Sequence, residues 1–327
     1  MVGITVEQWC IRVPRFQGEE IRQQLLREGT IDSSLKIRRE GDEILIPVLG
    51  PAEGAVRVAF EEGPARPELA RHELVGGIAI LQDRDPEAAL TILVSRPNLH
   101  TVLFPTSDVS GAYRTRSFEV LAGEDTTRTR VTEYGHTFIV DLAAAYFSAR
   151  LSTERQRLRA LVRPGERILD MFAGVGPFAI SLAPVAGRVV ACDLNPGAVL
   201  LMQENIVLNH IANVLPVLAD AGHLPDMGLG LFDRVVMNLP LAAARFLPQA
   251  FSLVRPGGTI HLYALQSQEG EFLPAIRACG PAEVKERFVR SYSPSHWHAV
   301  YDIIAEGATP RSYPILRDAF SKDKSAE

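Results

Sequence analysis

From about residue 144 to residue 265, apolar runs typical of β-strands alternate with runs typical of helices. Such alternation is typical of a mostly parallel sheet covered by helices on both faces, because a parallel strand pair needs a long crossover connection. Ligands of these sheets bind at the carboxyl ends of the strands. The sequence therefore predicts an α/β, Rossmann-like domain over residues 144–327. The closing segment "AEVKERFVRSYSPSHWHAVYDIIAE" is predicted to add an antiparallel strand pair to one edge of its sheet.

Two smaller α+β domains are predicted before residue 144. Residues 1–52 combine the strand "EQWCIRV", an amphipathic helix ended by Gly29 and a strand pair. Pro51–Pro67 is rich in Pro, Gly and Glu and has the composition of a linker with at most one short strand. Residues 66–143 form the predicted middle domain. Its predicted helices are "ELARHEL" and "PEAALTILVSR", and its predicted strands are "VGGIAIL", "TVLFP", "SFEVLAG" and a hairpin that turns at Tyr134-Gly135.

Composition excludes several classes of protein. The 327-residue chain has a formal net charge of −5, so it is not coated with positive charge for generic nucleic-acid binding, and any RNA contact must be local. No run has the length of a membrane helix and the N-terminus does not resemble a signal peptide, so we expect a cytoplasmic protein without a membrane partner. Its three scattered cysteines have neither disulfide nor zinc-ligand spacing, so no metal site is expected.

The turn Gly174-Val175-Gly176-Pro177-Phe178-Ala179 fits the G-x-G-x-x-G/A fingerprint, so an NAD-dependent dehydrogenase is one interpretation. Pro177, however, removes a backbone donor that a pyrophosphate would use. Asp170 ends the preceding strand and would repel a pyrophosphate, whereas it suits a ligand that carries an ammonium group. S-adenosylmethionine is such a ligand, and it contains no phosphate.

Acidic residues end two further strands. Asp193 is placed to accept hydrogen bonds from ribose hydroxyls, and Asp220 from an adenine amino group. With Asp170 they favour S-adenosylmethionine over a dinucleotide. The alternative, that the aspartates only cap helices, has support at Asp193 because Asn195-Pro196 follows it. The fourth strand ends in Asn238-Leu239-Pro240, where the amide suits the edge of a nucleobase and the alternative is a plain turn.

Five segments carry a resemblance to a known family. They are "YRTRSFEVLAGED" (113–125), "DLAAAYFSARLSTERQRL" (141–158), "ILDMFAGVGPFAI" (168–180), "CDLNPGAV" (192–199) and "NLP" (238–240). In these segments the chain resembles the archaeal and eukaryotic class I tRNA (guanine-37-N1)-methyltransferases and the related wyosine-pathway enzymes. The resemblance implies a class I methyltransferase domain preceded by a middle RNA-binding domain. The first fifty residues resemble the small N-terminal domain of archaeal members, which reaches the outer corner of the tRNA.

The resemblance also implies a reaction, the transfer of a methyl group from S-adenosylmethionine to N1 of guanosine 37 in the tRNA anticodon loop by a monomeric enzyme. It makes Glu154 the general base, supported by Arg150. It makes Arg114, rather than Arg116, the group that stabilises charge on O6, and Asn238 a contact to the base edge. Guanine N1 carries a proton, so the chemistry itself requires a base near the ring and a cation near O6. Without the flanking motif, Glu154 would only pair with Arg150 or with Arg157.

Further candidates and alternatives complete the prediction. Tyr146 and Phe147 are candidates to stack on the splayed base, with buried packing as the alternative for both. The alternative reactions are methylation of the tricyclic wyosine precursor and transfer of the aminocarboxypropyl group, and a non-catalytic RNA-binding protein is less favoured. The residues predicted to hold the cofactor are Asp170, Phe172, Gly174, Gly176, Asp193, Leu194, Asp220, Ala221, Asn238 and Pro240.

Overall fold

The computed structural model describes residues 5–32, 34–61 and 69–306, and the chain falls into two compact units, Met1–Ala70 and Arg71–Glu327. The first unit contains β1 (Thr5–Pro14), α1 (Gly18–Arg27), β2 (Arg38–Glu40), β3 (Glu43–Val48) and β4 (Ala55–Glu61). Its antiparallel sheet has the order β2-β3-β1-β4. Apolar side chains of β1 and β3, such as Cys10 and Leu45, are fully buried.

Strand β4 lies inside the segment that was predicted as a linker. It pairs with β1 from Thr5↔Glu61 to Ile11↔Ala55, so the sheet of the first unit continues past residue 52. Residues 62–67 of that segment lie outside the described residues. The division into domains at residues 52, 66 and 143 remains a prediction.

The second unit begins with a four-stranded sheet. The strands of this sheet are β5 (His72–Val75), β6 (Ile78–Leu81), β7 (Thr101–Pro105) and β8 (Phe118–Gly123), in the order β5-β6-β7-β8. Helix α2 (Pro86–Ser95) lies between β6 and β7 in the chain. Strands β6 and β7 are parallel and are joined through α2, and the other two pairs are antiparallel. The hairpin of β9 (Arg128–Glu133) and β10 (His136–Asp141) follows, with its turn at Tyr134-Gly135 as predicted.

The helix predicted for "ELARHEL" is wrong within the described residues, because His72–Val75 is a strand. Gly76-Gly77 turns this strand into β6, and Gly76 adopts a left-handed conformation at φ +55°. A Cβ at Gly76 would lie 2.1 Å from the backbone oxygen of Arg130, so the turn requires glycine. The two glycines form the hairpin turn between β5 and β6. Pairing of the two strands across this turn outweighs the helical pattern of "ELARHEL".

The rest of the second unit confirms the predicted mostly parallel sheet. Its strand order is β13-β12-β11-β14-β15-β17-β16. The first five strands are parallel, and the last two form the predicted antiparallel pair at the edge. The elements are α3 (Ser152–Leu161), β11 (Arg167–Asp170), α4 (Pro177–Leu182), β12 (Arg188–Asp193), α5 (Pro196–Leu208), β13 (Val214–Leu218), β14 (Phe232–Asn238), α6 (Leu247–Leu253), β15 (Val254–Gln266), α7 (Leu273–Cys279), β16 (Ala282–Ser293) and β17 (His296–Ala305).

Two apolar clusters of this unit lie among the described residues. One contains Phe178 of α4 and Met202 of α5, and the other contains Phe251 of α6 and Ile276 of α7, a helix that was not predicted. Strand order reverses between β12-β11 and β14-β15, which opens a crevice at the carboxyl ends of β11 and β14. In the part of the chain that the structure describes, no helix has the length and apolar character needed to span a membrane.

A buried ion pair ties the β9–β10 hairpin to α3. Arg155 of α3 donates two hydrogen bonds to Glu133 of β9, of 2.9 Å from Nε and 2.7 Å from Nη2. The two side chains are 2% and 7% exposed. The guanidinium also lies 5.7 Å from the ring centroid of Phe178. Breaking a buried pair is costly because it leaves one charge uncompensated in a medium of low polarity.

We expect Glu133→Gln to lower the free energy of unfolding by about 3 kcal/mol, because the buried guanidinium of Arg155 would lose its counter-charge. Urea denaturation at neutral pH measures the change. The matched control is Glu119→Gln, which breaks the two-bond pair of Glu119 with Arg84, an arginine whose side chain is 57% exposed. The control is expected to leave the unfolding midpoint nearly unchanged. Equal effects of the two substitutions would contradict a stabilising role specific to the buried pair.

Candidate active site

The glycine turn between β11 and α4 presents open backbone to the crevice. Gly174 and Gly176 have φ values of +56° and +88°, a conformation that favours glycine. A Cβ on Gly174 would meet only the backbone oxygen of Tyr146, at 3.6 Å, so the space above this residue is accessible to a ligand. A Cβ on Gly176 would approach Met202 to 3.0 Å, so Gly176 also permits close packing of the turn against α5.

Asp170, at the carboxyl end of β11, is fully buried, and neither of its carboxylate oxygens has a hydrogen-bond partner among the described residues. Burial, and after it the nearby charge of Asp193, raise the pKa of Asp170 to about 7, although the nearby backbone amides of Phe172 and Ala179, which lie outside hydrogen-bonding geometry, oppose the shift. A buried carboxylate without partners is costly to the protein alone. It therefore fits a ligand that brings its own hydrogen-bond donors, such as an ammonium group.

Asp193, at the end of β12, holds the glycine turn in place. Its Oδ2 accepts a hydrogen bond of 2.7 Å from the amide of Gly174, and its Oδ1 accepts one of 2.9 Å from the amide of Asn195. Helix α5 is capped by Asn195, whose Oδ1 accepts from Gly197 at 2.9 Å, and not by Asp193. Burial raises the pKa of Asp193. The adjacent Leu194 is exposed.

The third predicted aspartate has a local capping contact. Asp220 is exposed, and its Oδ1 accepts from the amide of Gly222 at 2.8 Å, at the start of the 3₁₀ segment Ala221–Met227. Ala221 is buried. Close to this loop, Phe172 packs edge-on against Phe246 with ring centroids 5.2 Å apart. Phe246 was missed, because its position after "LAAA" carries no signal of its own.

The Asn238-Leu239-Pro240 segment is an ordered turn at the end of β14. The backbone oxygen of Pro240 accepts from the amide of Leu265 at 3.0 Å, and that of Leu239 accepts from Ala243 at 2.7 Å. Asn238 Oδ1 is buried without a hydrogen-bond partner among the described residues. Like Asp170, it is an acceptor that a ligand or a substrate would satisfy.

Glu154 lies in the first turn of α3, and both of its hydrogen bonds fall on one oxygen. Its Oε2 accepts from Arg157 Nε at 2.8 Å and from the Tyr263 hydroxyl at 3.3 Å. No described group is hydrogen-bonded to Oε1. Tyr263 is adjacent in register to Asn238 on the neighbouring strand, so Glu154 is brought near the end of β14. Tyr263 was missed by sequence reasoning because nothing in "HLYAL" separates it from an ordinary buried strand residue.

The predicted support of Glu154 by Arg150 is corrected by the structure. Arg150 forms an ion pair of 3.1 Å with Glu73, and Arg157 is the arginine that contacts Glu154. Residues Ala149–Leu151 form a 3₁₀ turn before α3. The i,i+4 geometry of a continuous α-helix, on which the expected contact depends, is therefore absent between Arg150 and Glu154.

The two candidate arginines before β8 have different neighbours. The Arg114 guanidinium lies 5.8 Å from the ring centroid of Tyr146, whose backbone oxygen faces Gly174, and Arg114 has a left-handed backbone at φ +53°. Arg116 stacks instead over Phe118 at 4.9 Å. Tyr146 is 49% exposed, whereas the adjacent Phe147 is buried. Tyr146 therefore lies beside the glycine turn, with Arg114 next to its ring. Phe147 is buried, which agrees with the alternative that it packs in the interior and does not stack on a base.

A histidine lies close to Arg114. Burial, and after it the charges of Arg290 and Arg114, lower the pKa of His298 on β17 to about 4. The Tyr292 ring packs 5.6 Å from that of His298. Among the described residues, neither arginine has a carboxylate partner, so this corner of the site carries uncompensated positive charge. No three His, Cys, Asp or Glu side chains in residues 5–32, 34–61 and 69–306 form a group that could hold a metal ion.

Comparison with known families finds two matching domains in this chain. The TRM5/TYW2 methyltransferase domain matches residues 129–282, and the tRNA methyltransferase 5 N-terminal domain matches residues 10–56. The tRNA (guanine(37)-N(1))-methyltransferase Trm5b of Pyrococcus abyssi is 36% identical over 90% of this chain and 98% of its own. The chain belongs to the TRM5/TYW2 methyltransferase family.

Another relative and two solved structures are also similar to the chain. The tRNA 4-demethylwyosine(37)-methyltransferase Taw21 of Saccharolobus solfataricus is 35% identical over 72% of this chain and 94% of its own. Among solved structures, the complex of aTrm5 with tRNALeu covers 90% of this chain and 99% of its own, at 28% identity and a TM-score of 0.69. The structure of Methanocaldococcus jannaschii Trm5 in complex with adenosine covers 91% and 99%, at 28% identity and a TM-score of 0.65.

The buried Asp170 has a consequence for stability. Its pKa of about 7 in the folded protein lies above the ordinary 3.8, so the folded state retains a proton that the unfolded state loses in this window. The contribution of this group to the free energy of unfolding therefore falls as the pH rises from about 4 to about 7. We expect Asp170→Asn to match the wild type near pH 4.5 and to exceed its free energy of unfolding by roughly 2–4 kcal/mol above pH 7.

Urea denaturation of the ligand-free protein across this pH range measures the difference between the two proteins. Asp220→Asn, an exposed change at the same edge of the sheet, is the matched control and is expected to leave the pH dependence unaltered. A constant difference between Asp170→Asn and the wild type at all pH values would show that Asp170 does not titrate with folding.

Proposed function

We propose that this chain transfers the methyl group of S-adenosylmethionine to N1 of guanosine 37 in the anticodon loop of tRNA. The observation that carries the proposal is that this chain matches both the methyltransferase domain and the tRNA methyltransferase 5 N-terminal domain. Trm5b of Pyrococcus abyssi aligns with 90% of the chain, whereas Taw21 aligns with 72%. Two features of the structure support this function. The carboxylate of Glu154 is hydrogen-bonded to Arg157, and the buried oxygens of Asp170 and Asn238 have no hydrogen-bond partner among the described residues.

The residues at the crevice fit S-adenosylmethionine. When bound, S-adenosylmethionine supplies an electrophilic methyl group on its sulfonium. Asp170 would accept hydrogen bonds from its ammonium group, which would satisfy the buried oxygens, and Asp193 from its ribose hydroxyls. Phe172, Phe246 and Asp220 would surround the adenine. The open backbone at Gly174, with Gly176, Leu194, Ala221 and Pro240, completes the proposed binding set.

The chain's own residues prepare the target base. Glu154 would remove the proton of guanine N1 through Oε1, the oxygen that no described group occupies, while Arg157 and Tyr263 hold Oε2. Arg114 would stabilise the negative charge that develops on O6. Asn238 would hydrogen-bond the edge of the base through its unpaired Oδ1. Tyr146 is half exposed and placed to stack on the splayed base.

The proposal also covers the partner, the cellular compartment and the oligomeric state of the protein. The complex of a relative with tRNALeu supports tRNA as the partner, and the N-terminal domain match supports contact with the outer corner of the tRNA. A substrate of this kind suits an enzyme of the cytoplasm. The monomeric state remains a prediction. A second candidate reaction, methylation of a wyosine precursor at position 37, is favoured by the 35% identity to Taw21.

We expect Glu154→Gln to lower the single-turnover rate of methyl transfer to a G37 transcript by at least about 100-fold, because the amide cannot accept the N1 proton. Affinity for S-adenosylmethionine should stay within about threefold of the wild type. Labelled S-adenosylmethionine with G37 and A37 transcripts measures both the rate and the target, and A37 should remain unlabelled. Glu204→Gln, an exposed acid of α5 paired with Arg128, is the matched control and should retain full activity.

Other outcomes identify other reactions. Addition of the larger aminocarboxypropyl group, or labelling only of tRNA that carries the wyosine precursor, would replace the proposed reaction with one of the wyosine pathway. Saturable binding of NADH in place of S-adenosylmethionine would contradict the assignment of the glycine turn.

We expect Arg114→Gln to lower the single-turnover rate on G37 roughly 100-fold, because it removes the cation proposed to face O6. Arg116→Gln removes the same charge two residues away, where the arginine stacks on Phe118, and should change the rate less than about threefold. Rates at saturating tRNA separate loss of catalysis from loss of affinity. A larger loss in Arg116→Gln would assign the role to Arg116.

A further inference from the structure

A chain of buried polar side chains begins at Glu154 and leads away from the crevice. Arg157 donates from Nε to Glu154 and from its two terminal nitrogens to Asp302 of β17, at 2.8 Å from Nη1 to Oδ2 and 3.3 Å from Nη2 to Oδ1. The guanidinium is therefore held at three points. It cannot rotate away from Glu154 without breaking its two contacts with Asp302.

The chain continues behind Asp302. His261 Nδ1 lies 2.5 Å from Asp302 Oδ1, and His261 Nε2 lies 2.5 Å from Nη1 of Arg234 on β14. Arg234 is in turn anchored by Glu166, at 2.9 Å from Nε, and by the backbone oxygen of Leu161, at 2.9 Å from Nη2. Five side chains, Arg157, Asp302, His261, Arg234 and Glu166, thus connect Glu154 to strands β14, β15 and β17. We call this set the Glu154 support chain.

The hydrogen bonds define the protonation of the support chain. A guanidinium only donates, so His261 Nε2 must accept from Arg234, and His261 Nδ1 must carry the proton that is donated to Asp302. Burial lowers the pKa of His261, in keeping with a neutral ring. Burial alone would raise the pKa of Asp302, but the hydrogen bonds from His261 and Arg157 lower it overall, so Asp302 is a carboxylate.

The members of the support chain are largely buried. The side chain of His261 is 1% exposed, that of Arg234 is 7% exposed, and those of the other members are at most 17% exposed. Buried ionic networks of this kind are often no more stabilising than apolar residues of similar volume. What this network does supply is a fixed direction for Arg157, and hence for the Glu154 carboxylate.

The charges of the support chain also match the proposed proton transfer. Glu154 and the support chain together contain three carboxylates, Glu154, Asp302 and Glu166. They also contain two guanidiniums, Arg157 and Arg234, and the neutral His261. One negative charge is therefore in excess while Glu154 is ionised. The set becomes neutral when Glu154 takes up a proton, so the buried network does not accumulate charge at that step.

We propose that Asp302 and His261 are positioning residues for the reaction: they fix Arg157 on Oε2 of Glu154 and thereby leave Oε1 directed to the target base. This inference rests on the proposed function of Glu154. Neither residue was singled out by the sequence analysis, and neither is among the residues proposed to touch cofactor or base.

A double-mutant cycle of Asp302→Asn and Glu154→Gln tests the proposal. Every group that faces the Asp302 oxygens is a donor, so an amide in its place would set a donor against a donor and release Arg157. We expect Asp302→Asn to slow single-turnover methyl transfer to G37 roughly 10- to 30-fold, with the KM values for tRNA and S-adenosylmethionine changed less than about threefold. In the Glu154→Gln background the same substitution should change the residual rate less than about twofold.

The matched control for Asp302→Asn is a substitution of a carboxylate outside the support chain. Asp233→Asn removes a carboxylate of β14 that pairs with Arg255 outside the support chain, and it should leave the rate within about twofold of the wild type. Equal slowing by Asp302→Asn in both backgrounds would overturn the proposal, because the residue would then act independently of Glu154. Lack of transfer by the wild type, or full activity of Glu154→Gln, would instead refute the proposed function itself.

Substitutions of His261 provide a second test of the proposal if Asp302→Asn does not fold. A glutamine at position 261 can donate to Asp302 and accept from Arg234, whereas a leucine can do neither. We expect His261→Gln to retain at least about one third of the wild-type rate and His261→Leu to lose roughly tenfold, with S-adenosylmethionine affinity unchanged in both. Equal rates in the two variants would overturn the role of His261.

Discussion

The reversal of strand order between β11 and β14 is the constraint on which the site depends. Adjacent parallel strands whose connections leave in opposite directions cannot both be covered at their carboxyl ends, so a crevice opens there. Asp170 and Asn238 end the two strands that border it, and each presents buried oxygens without a hydrogen-bond partner among the described residues. The topology thus brings together acceptors from parts of the chain almost seventy residues apart.

Two kinds of buried charge lie near this crevice, and their energetics differ. Asp170 has no hydrogen-bond partner among the described residues, and its pKa is raised to about 7, chiefly by burial, so the folded protein bears a cost that a cationic ligand would relieve. In the support chain each charged group has oppositely charged or neutral partners at hydrogen-bond distance. The buried oxygens of Asp170 are unpaired among the described residues, whereas the guanidinium of Arg157 is hydrogen-bonded to both Glu154 and Asp302.

Site residues that lie close together in the sequence could be predicted from the sequence alone. The left-handed glycines, Asp170 and Asp193 lie within one strand-turn-helix-strand stretch, so their shared location follows from strand and helix periodicity alone. The partner of Glu154 did not follow in this way, because the choice between Arg150 and Arg157 depends on a 3₁₀ turn that periodicity does not reveal. Asp302 lies 145 residues from Arg157 and contacts it only because β17 inserts beside β15.

The location of positive charge explains how an acidic chain can handle an anionic substrate. Several of its arginines have carboxylate partners, whereas Arg114 and Arg290 have none among the described residues and face the neutral His298. Arg114 is also held in a left-handed backbone conformation, which costs of order 1 kcal/mol for a residue other than glycine. Protonation of His298 would add a third charge to this corner, and its buried position opposes that. Arg114 and Arg290 thus add positive charge at this corner of the proposed site, where it would attract a phosphate or a developing oxyanion.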